Sequence, residues 1–332
     1  MNCLSRWNSS RAANVRVTVV ICVVVALVAA LLIFWMLSED RPEEFLEEWD
    51  SPADGLTQLE LSPDGELLVA AAASGHVVTW DMYTTKPTLL DQFTLLPISA
   101  IGVSSDGFVA ATDIQDNFAG WQIGEMRPMI LPKLPSHAAD IAFGRTRSGT
   151  LSVAVALANG SLAFVDPEGV KTVKSPHQGG IKRLLFTAEG RVLITAGADG
   201  KLVWWDARKR EPGESIEAHS SEIGAIKLSE DGRWLASGDW DGHLRIWNAE
   251  TRKQEGQMQQ ASGVSGIAWS GEQFVTGGWD GVIRFWKIHQ DEPFSEIVTG
   301  HEIHDVAYSN DRGKLATVSG RDSIEWWSVP SE

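Results

Sequence analysis

Cysteine and histidine are the residue types that most often carry nucleophilic, acid–base or metal chemistry. Both cysteines, Cys3 and Cys22, lie within the first 22 residues, so the rest of the chain can form no disulfide, thiolate nucleophile or Cys-ligated metal site. The pair in His301-Glu-Ile-His304 falls on a strand-like segment, where its two rings would point to opposite faces. The sequence contains no GxSxG elbow, P-loop, HExxH or GxGxxG motif. We therefore predict no catalytic residues, no metal site and no cofactor.

The charge distribution excludes another class of function. The 332 residues carry a formal net charge of −16, and residues 1–37 contain three arginines and no acid. The remainder therefore holds 25 basic and 44 acidic residues, a net charge of −19. A surface of this charge repels phosphates, so we expect no nucleic acid as a partner.

An apolar segment near the amino terminus has the length of a membrane span. Val17–Leu37 is 21 consecutive residues without a charge, which as a helix would span roughly 30 Å. A cleaved signal peptide has a shorter apolar stretch followed by small residues, whereas this segment ends in Phe-Trp-Met-Leu and is followed by Ser-Glu-Asp. Cys22 also lacks the small preceding residue that is usual for a lipidated cysteine. We predict a short tail at 1–16, a transmembrane helix at 17–37 and an acidic linker at 38–46.

The flanking arginines suggest the orientation of this span. Arg6, Arg11 and Arg16 precede it, and only Arg41 lies among residues 38–50. Because positive charge is retained in the cytoplasm, we expect a cytoplasmic amino terminus and the remainder on the periplasmic or lumenal side. A cytoplasmic location for the large domain is the alternative.

Beyond residue 40 the chain repeats with a period near forty. Seven similar units have anchor positions spaced by 41, 44, 40, 42, 39 and 41 residues. In the fifth unit, alternating apolar segments are separated by Ser-Glu-Asp-Gly and Asp-Trp-Asp-Gly turns, which indicates four short antiparallel strands per unit. The anchors are Trp80, Trp121, Val165, Trp205, Trp247, Trp286 and Trp327.

Three of these units resemble the WD40-repeat, or G-protein-beta-like, family. The resemblance is carried by LITAGADGKLVWWD (193–206), LASGDWDGHLRIWN (235–248) and FVTGGWDGVIRFWK (274–287), and more weakly by the other units across 47–328. It implies an all-β fold: a seven-bladed WD40-type β-propeller at 47–332, here preceded by a single transmembrane α-helix.

The resemblance also implies a hydrogen-bonded tetrad of histidine, Ser/Thr, aspartate and tryptophan in each complete unit. Unit six keeps three members and lacks the histidine. A buried carboxylate needs hydrogen-bond donors, and imidazole, hydroxyl and indole groups supply them, so we interpret these residues as structural. The tetrad residues are His177, Thr195, Asp199 and Trp205 in unit four, His219, Ser237, Asp241 and Trp247 in unit five, and Thr276, Asp280 and Trp286 in unit six.

The seventh unit ends at its third strand, because only five residues follow Trp327. Aligning the turns Leu-Ser-Pro-Asp-Gly (61–65) and Leu-Ser-Glu-Asp-Gly (228–232) places Glu47–Trp49 at an outer-strand position. An unpaired edge strand favours aggregation. We therefore predict that Glu47–Trp49 pairs with Ser323–Trp327 and completes blade seven.

Trp240 and Trp279 each precede the turn aspartate, a position that in the family points to the binding face. Exposed indoles are good interface anchors, although these two could instead pack on neighbouring loops. We predict a membrane-anchored, non-enzymatic scaffold that binds a protein partner of unknown identity. The rival is a propeller enzyme or a small-ligand sensor that uses the central channel.

Overall fold

The structure is a computed structural model that describes residues 44–145, 151–166, 169–187, 190–310 and 312–330. Residues 44–332 form one compact unit. Its strands are β1 Phe45–Asp50, β2 Leu56–Leu61, β3 Leu67–Ala72, β4 Val77–Asp81, β5 Pro87–Leu89, β6 Ile98–Val103, β7 Phe108–Asp113, β8 Phe118–Gln122, β9 Met129–Leu131, β10 Ala138–Arg145, β11 Leu151–Leu157, β12 Ser161–Asp166, β13 Gly169–Lys174, β14 Ile181–Phe186, β15 Val192–Gly197, β16 Lys201–Asp206, β17 Glu211–Glu217, β18 Ile223–Leu228, β19 Trp234–Asp239, β20 His243–Asn248, β21 Gln254–Gln259, β22 Val264–Ser270, β23 Gln273–Gly278, β24 Val282–Lys287, β25 Ser295–Val298, β26 Asp305–Ser309, β27 Lys314–Val318 and β28 Ser323–Ser328.

These strands form seven antiparallel sheets of four strands each, which are the blades of a propeller. Blades one to six consist of β2–β5, β6–β9, β10–β13, β14–β17, β18–β21 and β22–β25, and blade seven of β26, β27, β28 and β1. The first strand of each blade contacts the first strand of the next, and β26 contacts β2, so the ring closes. The predicted seven-bladed all-β fold is confirmed.

Burial explains the strand composition. The two middle strands of a blade are covered on both faces and are almost wholly apolar, as in β15 and β16, whereas the outermost strand β17 is exposed and polar. The described apolar residues form seven clusters, each between two adjacent blades. The six anchor tryptophans are buried in these clusters, which explains why tryptophan recurs at this position in six of the seven units.

The turns between the first and second strands are also built locally. In blade five the hydroxyl of Ser229 bonds to the carboxylate of Asp231 at 2.7 Å, and Gly232 adopts a φ of +70° that favours glycine. Ser62 with Asp64, and Ser104 with Asp106, repeat this bond in blades one and two.

The last blade is completed by the first described strand. β1 pairs with β28 in antiparallel register, with Glu47 opposite Trp326 and Trp49 opposite Ile324, so the expected pairing of Glu47–Trp49 with Ser323–Trp327 occurs. The rings of Trp49 and Trp326 lie 4.7 Å apart, and the Arg312 guanidinium lies 4.8 Å from the Trp49 ring centre. The strand begins at Phe45, two residues before the start estimated from the repeat.

No helix in the described part of the chain is long and apolar enough to cross a membrane. The tail predicted at 1–16 and the span predicted at 17–37 lie outside the described residues, as does most of the linker at 38–46.

Candidate functional site

The predicted tetrad of blade four is assembled in full. His177 lies in the connection before β14, Thr195 and Trp205 on β15 and β16, and Asp199 in the turn between them. The imidazole of His177 is 2.9 Å from both the Asp199 carboxylate and the Thr195 hydroxyl, and the Trp205 indole N–H donates to that hydroxyl at 2.9 Å.

The ionisation of Asp199 follows from these contacts. Burial opposes the charged form, but hydrogen bonds from the Gln178 N–H and the His177 ring outweigh it and hold the pKa of Asp199 below its usual range. Because every polar atom of the group has a partner inside the blade, the arrangement is a structural clamp between strands.

Blade five requires a correction, because its carboxylate partner is Asp239 and not Asp241. His219 lies 3.2 Å from Asp239 and 2.7 Å from Ser237, whose hydroxyl accepts the Trp247 indole N–H at 2.9 Å. Asp239 follows Ser237 by two residues, so both point to the same face of β19. The backbone N–H of Asp241 donates to Asp239.

The corresponding position in blade four explains this difference. Gly197 lies there, and a Cβ at this position would collide with His177 and Asp199. Because glycine has no Cβ, the turn aspartate Asp199 can reach the histidine. In blade five Asp239 itself fills that space. Since the turn aspartate is in the same sequence position in both blades, an alignment of turns could not separate them.

Asp239 is fully buried and also lies 3.1 Å from the His243 ring. Burial lowers the pKa of His219 to about 4, against the opposing attraction of Asp239. His219 is therefore neutral at physiological pH.

Blade six keeps the Thr276–Trp286 bond of 2.9 Å, but the histidine position is taken by Gln260. The Thr276 hydroxyl donates to the Gln260 side-chain oxygen at 2.7 Å. Asp280 bonds to the guanidinium of Arg284 at 2.6 Å. Sequence reasoning missed Gln260, because a shorter turn between β22 and β23 shifts it by two residues relative to His177 and His219.

Trp240 and Trp279 lie together on one face of the ring, in the β19–β20 and β23–β24 turns. Their ring centres are 5.4 Å apart at 60°, and the residues are 45% and 43% exposed. They contact each other, yet nearly half of each remains accessible, so they form an exposed aromatic pair. We call these two residues the indole pair.

Beside the indole pair is a concave cup of about 380 Å³ at the mouth of the central channel. Small residues form much of its lining, namely Ala139, Ala158, Gly180, Ala198 and Gly224. Trp240, Lys182 and Glu222 also line the cup.

The central channel is a second cavity, of about 490 Å³. Glu60 of blade one and Lys227 of blade five approach within 4.0 Å across it, and this attraction raises the pKa of Lys227. Burial raises the pKa of Asp140 to about 7 and that of Asp305 to about 6. Both carboxylates accept backbone N–H groups of the next blade, from Leu184 and Leu59. Among the described residues no group of three His, Cys, Asp or Glu side chains is placed to hold a metal.

Comparison with known proteins identifies the repeats. The model of the "WD domain, G-beta repeat" family matches residues 170–206, 210–248 and 252–287. Each match begins within or just before an outer strand and ends with the third strand of the next blade, so each repeat joins two blades. The chain therefore carries WD40 repeats in a seven-bladed propeller.

Curated relatives match over shorter stretches. Cell division cycle 20.1, cofactor of APC complex, from Arabidopsis thaliana is 28% identical over 197 residues, which cover 54% of this chain and 43% of the relative. A guanine nucleotide-binding protein subunit beta of Lymnaea stagnalis is 33% identical over 69 residues, which cover 21% of this chain and 20% of the relative. The matches span less than half the length of these relatives.

Solved structures agree in fold. A chain in the crystal structure of the mitotic checkpoint complex superposes with a TM-score of 0.75 and 17% identity, covering 89% of this chain and 94% of that one. The Cps50 (Swd1) β-propeller domain of Myceliophteria thermophila superposes with a TM-score of 0.76 and 18% identity, covering 87% of this chain and 100% of that domain. At these identities the likeness establishes the fold.

Proposed function

We propose that this protein is a membrane-anchored, non-enzymatic scaffold that docks a protein partner on the face bearing the indole pair. The observation that carries the proposal is the contact of Trp240 with Trp279, two large apolar side chains left 45% and 43% exposed on a rigid ring. Tryptophan is among the residues most enriched in binding hot spots, and such residues cluster. Relatives described as a cofactor of a complex and as a subunit agree with a role in protein assembly.

The proposal predicts that Trp240→Ala with Trp279→Ala abolishes capture of the partner by crosslinking in intact membranes, while thermal unfolding stays unchanged. A matched control is Met129→Ala with Ile130→Ala, which also removes two exposed apolar side chains, 59% and 70% accessible, from the outer strand β9. Capture that survives the tryptophan double variant, or is lost equally in the control, would contradict the proposal.

The anchor is proposed from the uncharged segment 17–37, and the side of the membrane from the three arginines before it. β1 runs antiparallel to β28, so Phe45 lies at the face opposite the β19–β20 and β23–β24 turns. In sealed vesicles with the cytoplasmic side outward, added protease should leave the propeller intact; its digestion would instead place the propeller in the cytoplasm.

The rival use of the channel by a substrate or ligand is less favoured. Within the channel Glu60 is matched by Lys227, and Asp140 accepts the Leu184 N–H. The rival predicts a small molecule or metal that co-purifies with the protein, which mass spectrometry of the purified protein under native conditions would detect.

A further inference from the structure

One cation already occupies the surface beside the indole pair. The Lys182 ammonium lies 5.7 Å from the Trp240 ring centre and 2.9 Å from a Glu222 carboxylate oxygen. Lys182 belongs to blade four, whereas Glu222 and Trp240 belong to the neighbouring blade. An indole face and a carboxylate are the two groups that bind ammonium and guanidinium ions most effectively. The propeller therefore contains a cation site that its own lysine fills.

The Trp240 turn is held in place by backbone contacts. The N–H of Trp240 donates to the carbonyl of Glu222 at 3.1 Å, which fixes the turn against the preceding connection. The indole lies directly on Gly224, where a Cβ would come within 2.8 Å of its Cδ1 and 2.9 Å of its Nε1. A Cβ at Gly263 would lie 2.7 Å from the Trp240 carbonyl. These contacts fix the Trp240 side of the site, and none of them involves Lys182.

Lys182 itself can be displaced. Its side chain is 34% exposed and that of Glu222 is 18% exposed, so the ammonium can move into solvent while the carboxylate stays in the site. Lysine is a flexible, strongly hydrated cation, and a partly exposed pair of this kind contributes little to stability. Loss of this contact therefore leaves the blades intact.

The net negative charge of the chain favours a positively charged binding partner. The chain after residue 37 has a net charge of −19, which attracts basic segments over long range. At short range the cup offers the Glu222 carboxylate and the Trp240 indole, against which the Trp279 ring packs. Arg183 also lines the cup, and its charge acts on Asp140 and Asp305 in the channel.

We propose that the partner docks through a basic segment, whose Lys or Arg side chain displaces Lys182 from Trp240 and Glu222. This inference rests on the proposed docking function and specifies the chemistry of the partner at that site. Lys182 competes with the incoming cation for the same site. A cation must therefore bind more tightly than Lys182 to contact both the Trp240 ring and the Glu222 carboxylate.

The test uses the purified full chain in detergent and the peptide acetyl-Arg-Arg-Arg-Arg-amide, with binding measured by calorimetry. Lys182→Ala removes the competitor and is expected to tighten binding about tenfold, whereas Glu222→Gln is expected to weaken it about tenfold. Lys201→Ala is the matched control for Lys182→Ala. It also removes one positive charge from a lysine paired with a glutamate, Glu217 at 2.7 Å, but neither member of this pair lines the cup. It should change affinity by only about twofold, through the net charge alone.

Three results would overturn the inference: equal effects of Lys182→Ala and Lys201→Ala, weaker binding by Lys182→Ala, or tighter binding of acetyl-Glu-Glu-Glu-Glu-amide than of the arginine peptide. Thermal unfolding of each variant establishes that it is folded. Failure here is distinguishable from failure of the docking function. If capture of the partner depends on the indole pair but the arginine peptide does not bind, the docking function is retained and the inference that the partner docks through a basic segment is wrong.

Discussion

The hydroxyl of Thr195 bonds to two ring nitrogens at once, one from His177 and one from Trp205. At the corresponding position of blade one Ala70 replaces the threonine, and the buried indole N–H of Trp80 has no hydrogen-bond partner among the described residues. The indole N–H at this position is therefore hydrogen-bonded in blade four and has no partner among the described residues in blade one. This difference allows the hydrogen bond to be measured separately from the packing of the ring.

Trp205→Phe should destabilise the propeller by about 1–3 kcal/mol more than Trp80→Phe. Both changes remove similar buried volume, but only the first deletes a buried hydrogen bond and weakens the tetrad. Chemical unfolding monitored by circular dichroism measures the difference. Equal losses would show that the tetrad adds nothing beyond packing.

The lowered pKa of His219 predicts a dependence of stability on pH. In the unfolded chain the imidazole binds a proton below about pH 6.5, whereas in the folded chain it does so only near pH 4. The unfolded state therefore binds more protons between these values, and the free energy of unfolding contributed by this group is lost as pH falls from about 6.5 to 4.

His219→Gln removes the titrating ring, so its free energy of unfolding should fall less steeply than that of the unsubstituted protein over the same pH range. Denaturant titrations of both proteins at several pH values measure the slopes. Parallel slopes would show that His219 keeps an ordinary pKa.

At the level of the strand, β1 differs from the other outer strands because its partners lie at the far end of the chain. Trp49 is 8% exposed and packs on Trp326, while Glu47 bonds to Lys314 at 2.9 Å. This lysine holds the pKa of Glu47 below its usual value. Side chains from both ends of the chain thus hold blade seven together.

Trp49→Ala should lower the free energy of unfolding by about 3–5 kcal/mol, because it empties a large volume between blades seven and one. Leu46→Ala on the same strand, where the side chain is 43% exposed, should cost less than about 1 kcal/mol. Thermal unfolding of both variants provides the comparison. Similar costs would contradict the role assigned to this strand in closing the ring.

Across the whole ring, carboxylates at the inner strands tie one blade to the next. Asp140 of blade three accepts the Leu184 N–H of blade four at 2.9 Å, and Asp305 of blade seven accepts the Leu59 N–H of blade one at 3.0 Å. Burial raises the pKa of both groups. Their protonated forms are therefore favoured in the folded ring.

The pKa of Asp140 is about 7 in the folded protein and near 3.8 in the unfolded chain, so its contribution to stability is present below pH 3.8 and lost as pH rises through 7. Asp140→Asn keeps an acceptor for Leu184 without the buried charge. The variant should be more stable than the unsubstituted protein by roughly 1–3 kcal/mol at pH 8, and the gain should vanish near pH 4. A loss of stability at pH 8 would show that the ionised carboxylate is favoured.

Much of the fold can be predicted from the sequence because its signals are local. A turn with a left-handed glycine, an apolar strand and a buried tryptophan each leave a mark within about ten residues, and these marks recur with a period near forty, although Val165 replaces the tryptophan in unit three. The number of blades and the pairing of Glu47–Trp49 with the last strand both follow from counting these marks.

Only the tertiary structure decided which side chains meet across blades. The choice of Asp239 over Asp241 depends on the space left beside a histidine from another loop, and the contact of Lys182 with Trp240 joins two blades. Glu60 and Lys227 meet across the channel although they are far apart in sequence. Such contacts depend on distances of a few ångströms fixed by closure of the ring, and a repeat pattern carries information about period but not about those distances.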